Sequence, residues 1–256
     1  MHHSHIDRFA HGHSPMHSLD ARAKLLAALA YVVVLVSFGR YAVLELAPMA
    51  IAPLAMLWIG GIPTGFVARR IAILSPFVLM LCILAPLYDH TPVTLAAGPW
   101  QAVLRGGWLT AADVAIKFAL GIAAMTALTC TTPFSLLMEA MRRLGAPRML
   151  VMQIGFVYRY IFVLADEAMR IRRARDFRGA AMATASRRLA AVGGIVGGLL
   201  VRTLDRGERI DLAMRARGFS GDFHSLHRLA WTPRDTAMLL VMLAYLSGCR
   251  AYGALL

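Results

Sequence analysis

Five runs of apolar residues punctuate this chain: residues 25–38, about 41–59, 71–87, about 114–130, and 237–246 continuing toward 255. About 20 consecutive apolar residues cross a bilayer, and runs of this length exceed what strands or ordinary core helices use. The pattern therefore predicts an all-α integral membrane protein with about five transmembrane helices. Pro48 and Pro53 interrupt the second run and predict kinks there. Between the third and fourth runs, Asp89 to Asp113 contains Pro92, Pro99, Trp100, Arg105 and Trp108, the makeup of an interfacial loop with aromatic anchors.

From residue 133 the periodicity changes. A short helix is predicted over 133–144, ended by Gly145, Ala146 and Pro147. A long helix over about 147–178 follows, with Leu150, Ile154, Val157, Ile161, Leu164, Ala168 and Ile171 at alternating steps of four and three, a coiled-coil-like seam. Its other face is apolar as far as Ala165 and basic beyond, so the helix lies partly in the membrane boundary and its far end emerges into water. At 1.5 Å per residue such a helix is roughly 45 Å long. A second long helix, about 186–217, contains Gly193, Gly194, Gly197 and Gly198. Four glycines cost a helix about 3 to 4 kcal/mol against alanine. Their i, i+4 spacing points to close crossing by another helix, and a flexible, poorly formed helix is the plainer alternative.

The composition agrees with lipid as the solvent: 59% of residues are hydrophobic and 16% charged, with a mean hydropathy of +0.61. The net charge of +13 is concentrated, because residues 139–235 hold 18 of the 27 Lys and Arg and 9 of the 14 acids. No aromatic stacking motif or zinc spacing accompanies these cations, so anionic lipid or an acidic protein partner fits them better than nucleic acid. Placing Arg22 and Lys24, Arg69 and Arg70, and the arginine-rich stretch on one side satisfies the positive-inside rule, with the N-terminus cytoplasmic. The resulting organisation is a His-rich leader (1–24), transmembrane helices one to four (25–132), cytoplasmic or interfacial helices (133–234) and a last transmembrane helix (235–256). The leader lacks a signal-peptide core, so the first helix directs insertion. Cys82, Cys130 and Cys249 sit in apolar runs without pairable spacing and read as small core residues.

Both long helices end in X-Arg-Gly: Phe177, Arg178, Gly179 in the first and Ala216, Arg217, Gly218 in the second. Glycine is the usual stop of a helix and basic residues in the last turn offset its dipole, so either end alone is explained by capping. The duplication suggests more. An arginine at an exposed helix tip can place its donors on carboxylates or carbonyls in a partner's groove, and two such tips make a two-pronged docking device.

At these residues the chain resembles the transmembrane T component of energy-coupling factor transporters, whose two coupling helices each end in an X-Arg-X motif, typically Ala-Arg-Gly. Leu19-Asp20-Ala21-Arg22-Ala23-Lys24-Leu25, Leu144-Gly145-Ala146-Pro147, Tyr158-Arg159-Tyr160 with Asp166-Glu167, and Ala216-Arg217-Gly218-Phe219-Ser220-Gly221 extend the likeness over most of the chain. His5-Ile6-Asp7-Arg8 with Ser14-Pro15-Met16-His17 looks like the cobalt and nickel branch. The resemblance implies long crossed coupling helices whose motif arginines, Arg178 with Arg175 as the alternative, and Arg217, dock on two cytoplasmic ATP-binding subunits. It further implies a separate membrane subunit that binds the substrate, in the cytoplasmic (inner) membrane of the cell. ATP is then used by the partners and no cofactor is bound directly, which matches the absence of a GxxxxGK[ST] phosphate loop from the sequence.

Six histidines lie in the first 17 residues, His2, His3 and His5 among them, and imidazole binds nickel and cobalt well. Without ligand spacing on a defined element they read first as a polar leader and only second as a metal collector. The leading expectation is thus the non-catalytic coupling subunit of a cobalt or nickel uptake transporter, and the runner-up is a T component serving vitamin-binding subunits. A membrane-embedded enzyme requires Asp-rich or Ser/His constellations that the spans lack, and a lipid-binding scaffold predicts that charge alone matters. The spans also show no paired acid and base of the kind a self-sufficient pump carries.

Overall fold

The computed structural model describes residues 12, 14–41, 43–88, 91–97, 100–177, 185–219 and 229–255. Among them are eight α-helices and one β-hairpin: α1 (Ala21–Ser37), α2 (Ile51–Ile59), α3 (Thr64–Tyr88), β1 (Pro92–Ala97), β2 (Trp100–Arg105), α4 (Gly106–Thr131), α5 (Phe134–Arg143), α6 (Arg148–Phe177), α7 (Ala185–Ala216) and α8 (Pro233–Leu255). The all-α architecture holds apart from the hairpin. By length and composition α3, α4, α6 and α8 are each able to cross a membrane. The described residues fall into two compact units, one up to residue 140 together with those from 229 on, the other from 141 to 219.

In the first unit, α1 starts where Asp20, extended at φ −62° and ψ 134°, accepts the Arg22 N–H on its carboxylate. Ala27, Tyr31, Leu35 and Phe38 of this segment pack on Leu46, Met49, Ala124, Met242, Leu246 and Cys249. A second cluster joins Leu57, Ile62 and Val67 to Ala123, Ala127 and Cys130. Helix α3, by contrast, leaves Ile73, Phe77, Ile83 and Leu87 exposed. In water that would be an unstable apolar patch, whereas lipid covers it at no cost.

The second apolar run is broken rather than kinked. Tyr41 takes a left-handed backbone at φ 71°, residues 43–47 form turns, Pro48–Ala50 is a single 3₁₀ turn, and only Ile51–Ile59 is α-helical. Two tyrosines compensate for the missing helical bonds: the Tyr31 hydroxyl donates to the Met49 carbonyl at 2.9 Å, and the Tyr245 hydroxyl donates to the Pro48 carbonyl. Irregular backbone at membrane depth is tolerated only when protein groups satisfy it in this way.

The segment expected to be an interfacial loop instead contains a hairpin. Strands β1 and β2 pair antiparallel from Pro92 opposite Arg105 to Ala97 opposite Trp100. Pro92 opens its strand, a position that tolerates a missing N–H. The hairpin delivers the chain to α4 through the Gly106 N–H, which donates to the Thr91 carbonyl at 2.8 Å.

Because α4 starts at Gly106, Asp113 lies inside it, and the expectation of no paired acid and base within the spans is corrected. Asp113 and Lys117 form a 2.8 Å ion pair one turn apart. The Lys117 ammonium also donates to the Phe38 and Gly39 carbonyls at 2.9 and 3.1 Å, which caps the end of α1. The pair ties two helices together, and hydropathy alone places the start of this span too late to include the acid.

Candidate functional site at the basic helix ends

The second unit is built on α6 and α7. Helix α6 exposes Met149, Leu150, Ile154, Val157 and Ile161 on its apolar part and carries Arg170, Arg172, Arg173 and Arg175 beyond Glu167. Helix α7 exposes Val192, Val196, Leu200 and Leu204 before its own basic end. A side-chain bond joins the two helices, from Arg202 Nη1 to Glu167 Oε1 at 2.9 Å.

The end of α7 is a complete Schellman cap. Gly218 has φ +76°, its N–H donates to the Arg215 carbonyl at 3.0 Å, and the Phe219 N–H donates to the Met214 carbonyl at 3.0 Å. Ala216 closes the helix and Arg217 is the capping residue, exposed and without a side-chain partner among the described residues. Its neighbour Arg215 is engaged with Asp211 at 2.9 Å, one turn back. Arg217 is thus held by a rigid backbone turn while its guanidinium stays available, the condition for inserting five donors into a partner's groove at little entropic cost.

At the end of α6, Phe177 is 92% exposed. Arg178 and Gly179 lie outside the described residues. Arg175 is half-buried against the α7 side, with its Nε enclosed and unpartnered among the described residues. The sequence of this end holds a signal that the Arg-Gly pairs obscure. Arg173-Ala-Arg-Asp-Phe-Arg-Gly179 aligned with Arg215-Ala-Arg-Gly-Phe-Ser-Gly221 matches at five of seven positions without a gap. That register sets Arg175 opposite Arg217, and Arg178 opposite Ser220.

The four glycines of α7 face open space: a Cβ built on Gly193, Gly194, Gly197 or Gly198 meets no heavy atom within 4 Å. Among the described residues no helix of this unit crosses these glycines at close range. His2, His3 and His5 are outside the described residues, and among the described residues no three His, Cys, Asp or Glu side chains gather as a metal site.

A family model described as cobalt transport protein, CbiQ, matches residues 12–228. The energy-coupling factor transporter transmembrane protein EcfT of Leuconostoc gelidum subsp. gasicomitatum is 28% identical over 233 residues, covering 84% of this chain and 83% of that protein. EcfT of Bacillus subtilis is 26% identical over 259 residues, 94% and 96% of the two chains. The cobalt transport protein CbiQ of Salmonella typhimurium is 31% identical over 133 residues, 51% of this chain and 58% of that one.

Proposed function

Because this chain belongs to the CbiQ family of cobalt transport proteins, and so is a membrane-embedded component of an energy-coupling transporter, we propose that it links two ATP-binding subunits to a substrate-binding membrane subunit in cobalt or nickel uptake. It transmits motion and hydrolyses nothing itself. ATP binding and hydrolysis move the ATPase subunits together and apart, and α6 and α7 carry that motion to the membrane subunit.

The observation that carries this reading is the duplicated seven-residue end, one copy of which is a Schellman-capped tip presenting Arg217. The ungapped register favours Arg175 as its counterpart on α6 over Arg178. The N-terminal side of α1 is read as cytoplasmic because its cations gather at one end of the first unit: Lys24 Nζ donates to the Thr131 carbonyl at 2.9 Å and Arg70 to Thr129 Oγ1 at 3.3 Å, both at the end of α4. The membrane is then the cytoplasmic (inner) one.

The test is copurification in mild detergent with the partners identified by mass spectrometry. The wild type retains an ATP-binding subunit and a small membrane subunit, while Arg217→Ala and Arg175→Ala lose the ATPase because truncating one side of a buried charged contact costs about 2 to 5 kcal/mol. Arg178→Ala retains it. Arg217→Lys also fails, since lysine lacks the fork geometry, whereas a scaffold that binds lipid by charge alone tolerates it. A second reading keeps the same coupling role with a membrane partner that binds a vitamin. Transport of labelled cobalt or nickel by the reconstituted complex separates the two.

A further inference from the structure

Glu167 is an acid placed among arginines. Its side chain is 13% exposed, it accepts from Arg202 of α7 at 2.9 Å, and Arg170 of its own helix lies 3.7 Å away. It faces an open cleft of about 410 Å³ whose lining also includes Arg170, Ile171, Arg175, Gly194 and Arg202. Glu167 is the acid of that described lining, set against three guanidinium groups. Ile171, Ala174 and Ile195 supply the apolar part of the lining, while like charges facing each other across the cleft repel unless an anion stands between them.

We infer that Glu167 is a positioning residue that clamps α6 to α7 through Arg202 and so sets the spacing of the two docking tips. This inference rests on the docking reading above. Along the helices the clamp lies about 12 Å from Arg175 and about 22 Å from Arg217 at 1.5 Å per residue. A rotation of about 10° at the clamp swings the α7 tip by about 4 Å, well outside the tolerance of a hydrogen bond. The two partners are not equivalent. Removing Arg202 leaves Glu167 balanced by Arg170, whereas removing the Glu167 charge leaves three arginines with nothing between them.

The test uses the full chain in lipid nanodiscs, with Cys82, Cys130 and Cys249 replaced by alanine and nitroxides attached at Phe177→Cys and Leu212→Cys, both exposed positions. Pulsed electron resonance then reads the tip-to-tip distance, and unlabelled variants are assayed for ATPase retention. Glu167→Gln shifts and broadens the distance distribution and weakens ATPase retention roughly two- to five-fold, the range of a partly exposed ion pair. Arg202→Gln does less on both measures. Glu167→Arg combined with Arg202→Glu keeps one acid among three arginines and restores both. An unchanged distribution in Glu167→Gln overturns the clamp even when Arg217→Ala still loses the ATPase. A changed distribution with full retention overturns the link between spacing and docking. Full retention by Arg217→Ala defeats the docking reading itself, and with it the positioning role.

Discussion

The carboxylate of Asp235 accepts the backbone N–H of Asp20 at 2.8 Å, so the first turn of α8 holds the first turn of α1. Its other oxygen accepts the N–H and hydroxyl of Thr232 at 2.8 and 2.7 Å, the half of a capping box in which the acid of the first turn satisfies the N-cap N–H, with Pro233 at the first helical position. Asp235 is 1% exposed. Asp235→Ala therefore lowers stability by about 2 to 4 kcal/mol, because it removes the cap and strands a buried N–H. Asp235→Asn, which keeps an acceptor, costs less. Thermal unfolding in detergent measures the difference, and equal losses for the two variants would show that the carboxylate charge matters there and the retained acceptor does not.

Removing the Tyr31 hydroxyl takes away the bond it makes to the Met49 carbonyl of the broken second span in a dry environment. Tyr31→Phe keeps the ring in the core and exposes only this effect, for an expected loss of about 1 to 3 kcal/mol. Tyr245→Phe costs less, because the Pro48 carbonyl keeps the Ile51 N–H, and the double variant departs from the sum because the two carbonyls are adjacent. Melting temperatures of the three variants test this. A neutral Tyr31→Phe would mean that another group satisfies the Met49 carbonyl.

Gly218 is needed for its backbone. At φ +76° a side chain adds about 1 to 2 kcal/mol of strain, so Gly218→Ala frays the cap and misplaces Arg217 while the membrane helices stay intact. Hydrogen exchange at residues 214–219 rises, ATPase retention falls as in Arg217→Ala, and the melting temperature is unchanged. Gly218→Asn, which tolerates a left-handed backbone, retains more function.

The glycines of α7 allow stability and assembly to be separated. Gly193→Ala and Gly197→Ala meet no neighbour among the described residues, and each gains about 0.8 to 1 kcal/mol of helix propensity. The isolated chain becomes more stable, while binding of the substrate-binding subunit weakens where a helix of that subunit seats on them. Undiminished binding would remove these residues from the interface.

Much of this architecture is legible in one sequence because lipid imposes long apolar runs. Helices α3 and α8 contain their runs and begin some residues ahead of them, and Asp20 ahead of Ala21 is a plain N-cap. The broken second span is not legible, because Pro48 and Pro53 signal only a disturbance. Its form depends on a left-handed Tyr41 and on hydroxyls supplied by Tyr31 and Tyr245, which are distant in sequence. Asp113 escapes because a hydropathy window ends a span at its first acid, although a carboxylate with a lysine one turn away is neutralised within the helix. The two arginine tips are plain in the sequence, but the Arg-Gly pairs favour a register on α6 three residues beyond the one that the ungapped match of Arg173–Gly179 to Arg215–Gly221 supports.

The broken span also constrains the order in which the protein is made. A regular helix carries its hydrogen bonds with it and can leave the translocation channel as soon as it is synthesised. The stretch around Pro48 and Met49 lacks part of that set, because one of its two hydroxyl donors is Tyr245 in α8, made long after it. That stretch must wait, shielded by the insertion machinery or by water at the membrane face, until α8 arrives about 200 residues later. The arrival of α8 thus completes the second span as well as adding one of its own.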